Sequence, residues 1–217
     1  MRKYFNIKER PLQVLGLLGV LGTVFYMLHI SVGTALYDGY DSLSQAISDL
    51  TAVGAPSKNT ALIFTLLYGI SMTAFAIIFF VFFRKRINKI FAIGALLFIA
   101  MNIVTWGYML FPLSKAGGGE TFSDTMHLIV TFAVVGLTIM SLILFTIGLF
   151  KYKQHIWLAI VTICALVLMA AGAMLINALP EGYLGLGERI NIYSLMAYCC
   201  VISIWMFLYN DKKIQTN

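Results

Sequence analysis

Six long apolar stretches dominate the sequence, at roughly 12–31, 60–83, 90–112, 125–150, 156–179 and 189–209. A helix rising ~1.5 Å per residue needs about 20 residues to cross ~30 Å of hydrocarbon, and each stretch meets that length. Lipid offers no partner to a backbone N–H or C=O, so a run of this kind crosses a membrane as a helix that pairs its own backbone. The sequence therefore predicts an all-α polytopic membrane protein, one six-helix domain over residues 1–217. Composition agrees. The chain is 60% hydrophobic and 11% charged, whereas soluble domains are about half apolar and about a quarter charged. The first stretch follows a basic start, but it is too long for the apolar core of a signal peptide and no A-x-A site follows. It is expected to remain as an uncleaved span.

The net charge of +6 does not point to nucleic acid, because of where the charges lie. Twelve of fifteen Lys and Arg fall in four short clusters: Arg2, Lys3, Lys8 and Arg10; Arg84, Lys85, Arg86 and Lys89; Lys151 and Lys153; Lys212 and Lys213. That is the positive-inside pattern, and it predicts a multi-pass protein of the cell membrane with both termini cytoplasmic. Seven of nine acids lie on the opposite side: Asp38, Asp41, Asp49, Glu120, Asp124, Glu181 and Glu188. Acids contribute little to topology, so their gathering asks for another explanation. Cys164, Cys199 and Cys200 fall within apolar runs and read as small buried hydrophobes, not as a disulfide or metal framework.

The longest outer connection, about 32–59, carries Ser42-Leu43-Ser44-Gln45, which fits a capping box. Leu43, Ala46, Ile47 and Leu50 then share one helical face, with Asp49 off it. This predicts a short amphipathic helix, closed by Gly54 and Pro56, on the membrane surface or dipping between spans. Small residues at Gly16, Gly19 and Gly22, and at Ala170 to Ala173, are expected to serve close helix packing.

Polar side chains within the spans concentrate in their outer halves: Thr23, Tyr26, His29, Thr65, Tyr68, Asn102, Thr105, His127, Thr131, Asn177, Asn191 and Ser194. Polar groups at that depth turn toward partners or a cavity. Two readings follow, an outward-opening vestibule or a set of interhelical hydrogen bonds. The sharpest local pattern is Asp124-x-x-His127 with Thr131 on the same face. It suits an acid–base pair, or else a helix start with Ser123 or Asp124 as N-cap. His29, Asp49 and His127 form a weaker candidate set for zinc; no cofactor is otherwise predicted. Arg189, directly after Glu188, is either an anion-binding fork or an interfacial anchor.

Several of these elements together resemble a bacterial family of six-helix membrane proteins known as a domain of unknown function (nine-nine-eight). The elements are Leu43 to Leu50, Phe111-Pro112, His127 and Gly185-Leu186-Gly187-Glu188-Arg189. The Ile-Ser-Asp element followed by Ala55-Pro56 is similar to the corresponding stretch of the Frag1/DRAM/Sfk1 membrane family. The resemblance implies six spans and an outer cluster of Ser48, Asp49, His127, Glu188 and Arg189, and it implies no activity.

The expected function is a vestibule that binds a lipid headgroup or small ligand through Ser48, Asp49, His127, Thr131, Glu188 and Arg189, in sensing, transport or membrane organisation. The alternatives are a hydrolase acting at the outer leaflet through Asp124 and His127, and a structural subunit without a site. Expected partners are membrane lipids, with a second copy or a membrane partner protein as further candidates.

Overall fold

The computed structural model describes residues 10–152, 155–178 and 182–210, and the side chains of 177 and 178 lie outside that description. The expectations placed on Arg2, Lys3, Lys8, Lys153, Asn177, Glu181, Lys212 and Lys213 fall outside it too. Among the described residues there is no β-strand. The helices are α1 (Pro11–Leu15), α2 (Leu18–Ala35), α3 (Lys58–Phe83), α4 (Lys89–Val104), α5 (Gly107–Leu110), α6 (Phe122–Phe150), α7 (Ile156–Ala178) and α8 (Leu184–Leu208). α1 with α2 forms the first span and α4 with α5 the third, so six helical segments are long and apolar enough to cross a membrane. This is a multi-pass membrane protein.

The ends of the spans differ from the sequence reading in one place that matters. The last span begins at Leu184, five residues before the predicted 189. Glu188 and Arg189 therefore sit inside the helix, more than one turn from its start. They are tolerated there because the loop that follows the first span folds back and supplies them with partners.

Two interruptions in the first and third spans have identifiable causes. In a regular helix Val20 N–H would donate to the Gly16 carbonyl. Here it donates to Ser203 Oγ (3.3 Å), while the Ser203 hydroxyl donates to Gly16 O (2.7 Å). A side chain of α8 is thus inserted into the hydrogen-bond ladder of the first span, a known origin of a kink. The break between α4 and α5 sits at Thr105 and Trp106, whose indole N–H donates to Thr73 Oγ1 of α3 (3.0 Å).

Consecutive spans pack side by side, and the first also packs on the last, so the six close into a ring. Outward faces carry exposed Ile63, Leu110, Phe132 and Met174, an apolar surface suited to lipid. Inside, the two ends of the ring differ. The basic end, marked by Arg84, Lys85, Arg86, Lys89 and Lys151, is packed with aromatic rings. Phe75, Phe79, Phe83, Phe91, Phe98 and Phe145 are essentially inaccessible, and Phe83 stacks on Trp205 with ring centroids 4.3 Å apart. His155 joins this group edge-on to Trp205 (5.3 Å), and burial lowers its pKa, which keeps it neutral. The opposite end carries the connections 36–57 and 111–121 and is called the loop end below.

Small residues bring helices together as expected. A Cβ on Gly19 would meet Phe75 and Ser203, and one on Gly22 would meet Met72. Gly172 of α7 and Gly187 of α8 face each other most tightly. A Cβ on Gly172 would lie 2.6 Å from Gly187 O and 2.7 Å from Asn191 N. Because those are backbone atoms, the neighbours cannot rotate away. Gly172→Leu is expected to destabilise the protein by about 2 kcal/mol or more, by overpacking. Gly136→Ala, in a helical position with nothing within 4 Å, is expected to be neutral or slightly stabilising. Thermal unfolding of the detergent-solubilised pair checks both.

Candidate functional site

The first loop begins with a turn built on Asp41. Its carboxylate accepts from Leu43 N–H (3.0 Å) and Ser44 Oγ (2.7 Å), while Gln45 Oε1 accepts from Asp41 N–H (2.8 Å). The backbone N–H of Leu43, with the Ser44 hydroxyl, holds the Asp41 carboxyl below its usual range. The reciprocal pair is thus Asp41 with Gln45, not Ser42 with Gln45, and it closes a turn instead of opening a helix. The short helix follows as a 3₁₀ segment, Ile47–Thr51. Its sidedness also differs from expectation. Ile47, Asp49 and Leu50 are all buried whereas Leu43 is half exposed. The segment is plugged into the loop end of the ring, and Gly54, at φ +84°, turns the chain away from it.

Asp49 is buried because both of its oxygens are used. Oδ2 accepts from Ala46 N–H (3.1 Å), and Oδ1 accepts from Gly117 N–H (2.7 Å) in the second loop. A second link between the loops is Val53 N–H to Leu113 O (2.9 Å). Ser48 lies on the same segment. Its carbonyl accepts from Thr51 Oγ1, and its hydroxyl makes no hydrogen bond among the described residues.

Arg189 reaches up from α8 and spends its fork on the first loop. Nη1 donates to Gln45 O and Gly185 O, both at 3.0 Å, and Nη2 donates to Tyr40 Oη at 2.7 Å. Tyr40 Oη in turn donates to Ala46 O (2.7 Å). Burial pushes the Tyr40 phenol up to about 12, against the opposing pull of Arg189, so it stays a neutral relay. Glu188 Oε2 accepts from Ile47 N–H (2.7 Å), and Leu186 N–H donates to Leu43 O (2.9 Å). Arg189 is therefore neither an interfacial anchor nor a free anion fork. It is a clasp.

Asp124 has an equally structural task. It is the third residue of α6, with Thr121, not Ser123 or Asp124, as N-cap. It accepts from Thr121 N–H (3.1 Å), Thr121 Oγ1 (2.6 Å), Ser114 N–H (2.8 Å) and Ser114 Oγ (2.7 Å). A carboxylate at this position also suits the helix N-terminus. His127, one turn on, is buried, and its Nδ1 bonds to Phe111 O (2.9 Å). A carbonyl only accepts, so Nδ1 carries the proton of this bond. No hydrogen bond joins Asp124 to His127, and Nε2 has no partner among the described residues. Thr131 Oγ1 donates to His127 O (2.9 Å) and accepts from Tyr108 Oη (3.2 Å).

His29 is occupied separately, against Ala61 O (3.2 Å) and Thr65 Oγ1 (3.0 Å). Among the described residues no three His, Cys, Asp or Glu side chains form a metal-binding group, so His29, Asp49 and His127 are not assembled as one. Asn191 and Ser194 make plain packing bonds, to Met169 O and Ile190 O.

Beneath the clasped loops the interior differs from the aromatic packing of the basic end. Tyr26 of α2 lies within electrostatic range of Glu188, Tyr68, Tyr108 and Tyr193, and its ring meets Tyr68 edge-on at 4.8 Å. Tyr108 likewise lies within range of Glu188. Four spans thus contribute phenols and one carboxylate to the same neighbourhood, Tyr193 being exposed there. The hydroxyls of Tyr26 and Tyr68, and Oε1 of Glu188, have no hydrogen-bond partner among the described residues. Thr34 Oγ1 is the single sealed, unpaired polar atom among them. The unpaired oxygens of Tyr26, Tyr68 and Glu188 therefore border open space. Tyr68 also lines a cleft between α3 and α4–α5, with Thr65, Gly69, Asn102, Thr105, Trp106 and Met109. Including its open mouth this cleft holds about 270 Å³ of empty space, and its enclosed part has room for about one water molecule.

Of the residues singled out from the sequence, Ser48, Asp49, Glu188 and Arg189 come together around the first loop, and His127 with Thr131 lies beside Tyr108. Tyr40 and Tyr108 were missed. Nothing in their local sequence marks them, because their roles depend on Arg189 and Thr131, 149 and 23 residues away.

The family model described as "Protein of unknown function (DUF998)" matches residues 20–205. No curated protein and no solved structure matches the chain.

Two substitutions separate the structural residues from the uncommitted ones. Asp124→Ala removes an acceptor of four hydrogen bonds and is expected to cost about 2 kcal/mol or more, with hydrogen exchange accelerated at Ser114. Arg189→Lys keeps the charge but cannot span Gln45 O, Gly185 O and Tyr40 Oη together. It is expected to speed proteolysis within residues 36–57.

Proposed function

The chain belongs to the DUF998 family, and we propose that it is a membrane protein whose loop end is a polar vestibule for a lipid headgroup or small ligand. The observation that carries this reading is the contrast within the ring. One half of the interior is closed by stacked aromatics, and the other leaves the oxygens of Tyr26, Tyr68 and Glu188 unpaired beside open space. Polar oxygens that reach open space without a protein partner are available to water or a ligand. The cleft beside Tyr68, between the second and third spans, gives a lipid a lateral approach to the same region.

In this proposal the vestibule opens extracytoplasmically and the termini are cytoplasmic, in line with the lysine and arginine clusters. Ser48, Asp49 and Arg189 frame it from above, and His127 with Thr131 flanks it. The hydrolase alternative is not favoured, because the carboxylate it requires next to His127 is saturated by Ser114 and Thr121. Sensing, transport and membrane organisation all remain compatible with such a site.

Native mass spectrometry of the protein released from detergent is expected to show retained lipid. Thr105→Phe, which fills the cleft, is expected to reduce that retention several-fold without loss of fold. A wild-type protein that emerges free of lipid, and takes up none when lipid is added, would remove the basis of the proposal. Orientation has its own check. In a cysteine-free background, a single cysteine at Asp38 is expected to react with an impermeant maleimide in intact cells, and one at Lys85 only after lysis.

A further inference from the structure

We infer that the vestibule takes a positively charged ligand group, an organic ammonium, seated on Glu188 among Tyr26, Tyr68 and Tyr108; this rests on the vestibule reading above. The geometry around Glu188 carries the inference. One of its carboxylate oxygens is committed to Ile47 N–H, and the other has no hydrogen-bond partner among the described residues. The obvious counter-charge, Arg189, is the next residue in the helix, yet its hydrogen bonds go to Gln45 O, Gly185 O and Tyr40 Oη. Adjacent residues on a helix do not face each other, and the two side chains bond to different parts of the first loop, the guanidinium to Gln45 O and Tyr40 Oη and the carboxylate to Ile47 N–H. Arg189, though it makes no ion pair with Glu188, adds positive charge to the same neighbourhood, and Asp49, the other acid nearby, adds negative charge.

What surrounds the free oxygen is suited to a cation. An ammonium has only donors to offer, up to three when primary. Glu188 Oε1 is an acceptor without a donor, and the hydroxyls of Tyr26 and Tyr68 each have accepting capacity to offer beside it. Phenol rings also attract a cation to their faces, and this attraction strengthens as water is excluded. An anionic group meets the reverse conditions, since the one arginine at the site is already held by two carbonyls and a hydroxyl. A phosphate or carboxylate would have to unfasten the loop to reach it. The amine of a zwitterionic lipid headgroup and a small free amine present the same chemistry here.

The test uses the full-length protein in detergent, titrated with short-chain phosphatidylethanolamine, short-chain phosphatidylglycerol and free ethanolamine, with adducts counted by native mass spectrometry. Glu188→Gln is the informative variant, because its amide oxygen can still accept from Ile47 N–H while the charge is gone. Phosphatidylethanolamine is expected to bind the wild type in preference to phosphatidylglycerol and to bind Glu188→Gln at least about tenfold more weakly. Tyr26→Phe with Tyr68→Phe, which leaves the loop contacts intact, is expected to weaken it several-fold. Ethanolamine that competes with the lipid identifies the amine alone as sufficient. Ethanolamine that does not compete, with the same Glu188 dependence for the lipid, assigns the site to the lipid form. Equal binding by Glu188→Gln and wild type, or a preference for phosphatidylglycerol, overturns the ammonium inference while leaving a vestibule in place. A wild type that binds none of the three overturns both.

Discussion

The contact on which the loop end depends is the three-way bond of Arg189 to Gln45 O, Gly185 O and Tyr40 Oη. It joins the connection after the first span to the start of the last, across the seam where the ring of six helices closes. A lysine could satisfy part of this set, but only a planar fork reaches two carbonyls and a hydroxyl together. Around that bond the rest of the loop end falls into place. The 3₁₀ segment is held over the ring, Glu188 is brought under Ile47 N–H, and Asp49 is turned to receive Gly117 from the second loop. The second loop is fastened from the other side by Asp124 and His127, through Ser114 and Phe111.

These bonds explain why acids gather at one end without a topological reason. Asp41, Asp49 and Asp124 mostly accept from backbone N–H groups, in loops that cannot pair their own backbone as a helix does. A carboxylate offers several acceptor sites at once, and bonds to a charged acceptor are among the stronger ones. Three carboxylates therefore order two irregular segments at the edge of an apolar bundle, where water is scarce. Glu188 departs from this rule. It gives one oxygen to the loop and leaves the other without a partner among the described residues, and that asymmetry is why it is the centre of the proposed site.

The packing gradient inside the ring has a comparable logic. Phe, Trp and Met side chains fill the basic half in edge and stacked arrangements, which are favourable for aromatic pairs. The tyrosines at the loop half bring the same ring volume with a hydroxyl attached. Tyr108 finds a partner in Thr131, but Tyr26 and Tyr68 do not. The unpaired phenols thus lie in the half of the ring that the loops cover and not in the half that the rings close.

Much of this was legible in the residues themselves. The six spans follow from apolar runs of sufficient length, because hydrocarbon leaves a chain little choice but helices. The close approach at Gly19, Gly22 and Gly172 follows from the same source, since only small residues let backbones touch. The identity of the important polar residues was also readable: Asp49, Asp124, His127, Glu188 and Arg189 are costly near lipid and each proved to have a task. What they do was decided only by tertiary structure. Spacing on a helix paired Asp124 with His127, yet bonds to Ser114 and Phe111 pulled the two apart. The 43–50 pattern read as an amphipathic helix, on the surface or dipping between spans, with Asp49 off its apolar face, yet Asp49 is buried because Gly117, 68 residues away, donates to it. A carboxylate's direction depends on which donor lies nearest in space, and sequence distance carries no information about that.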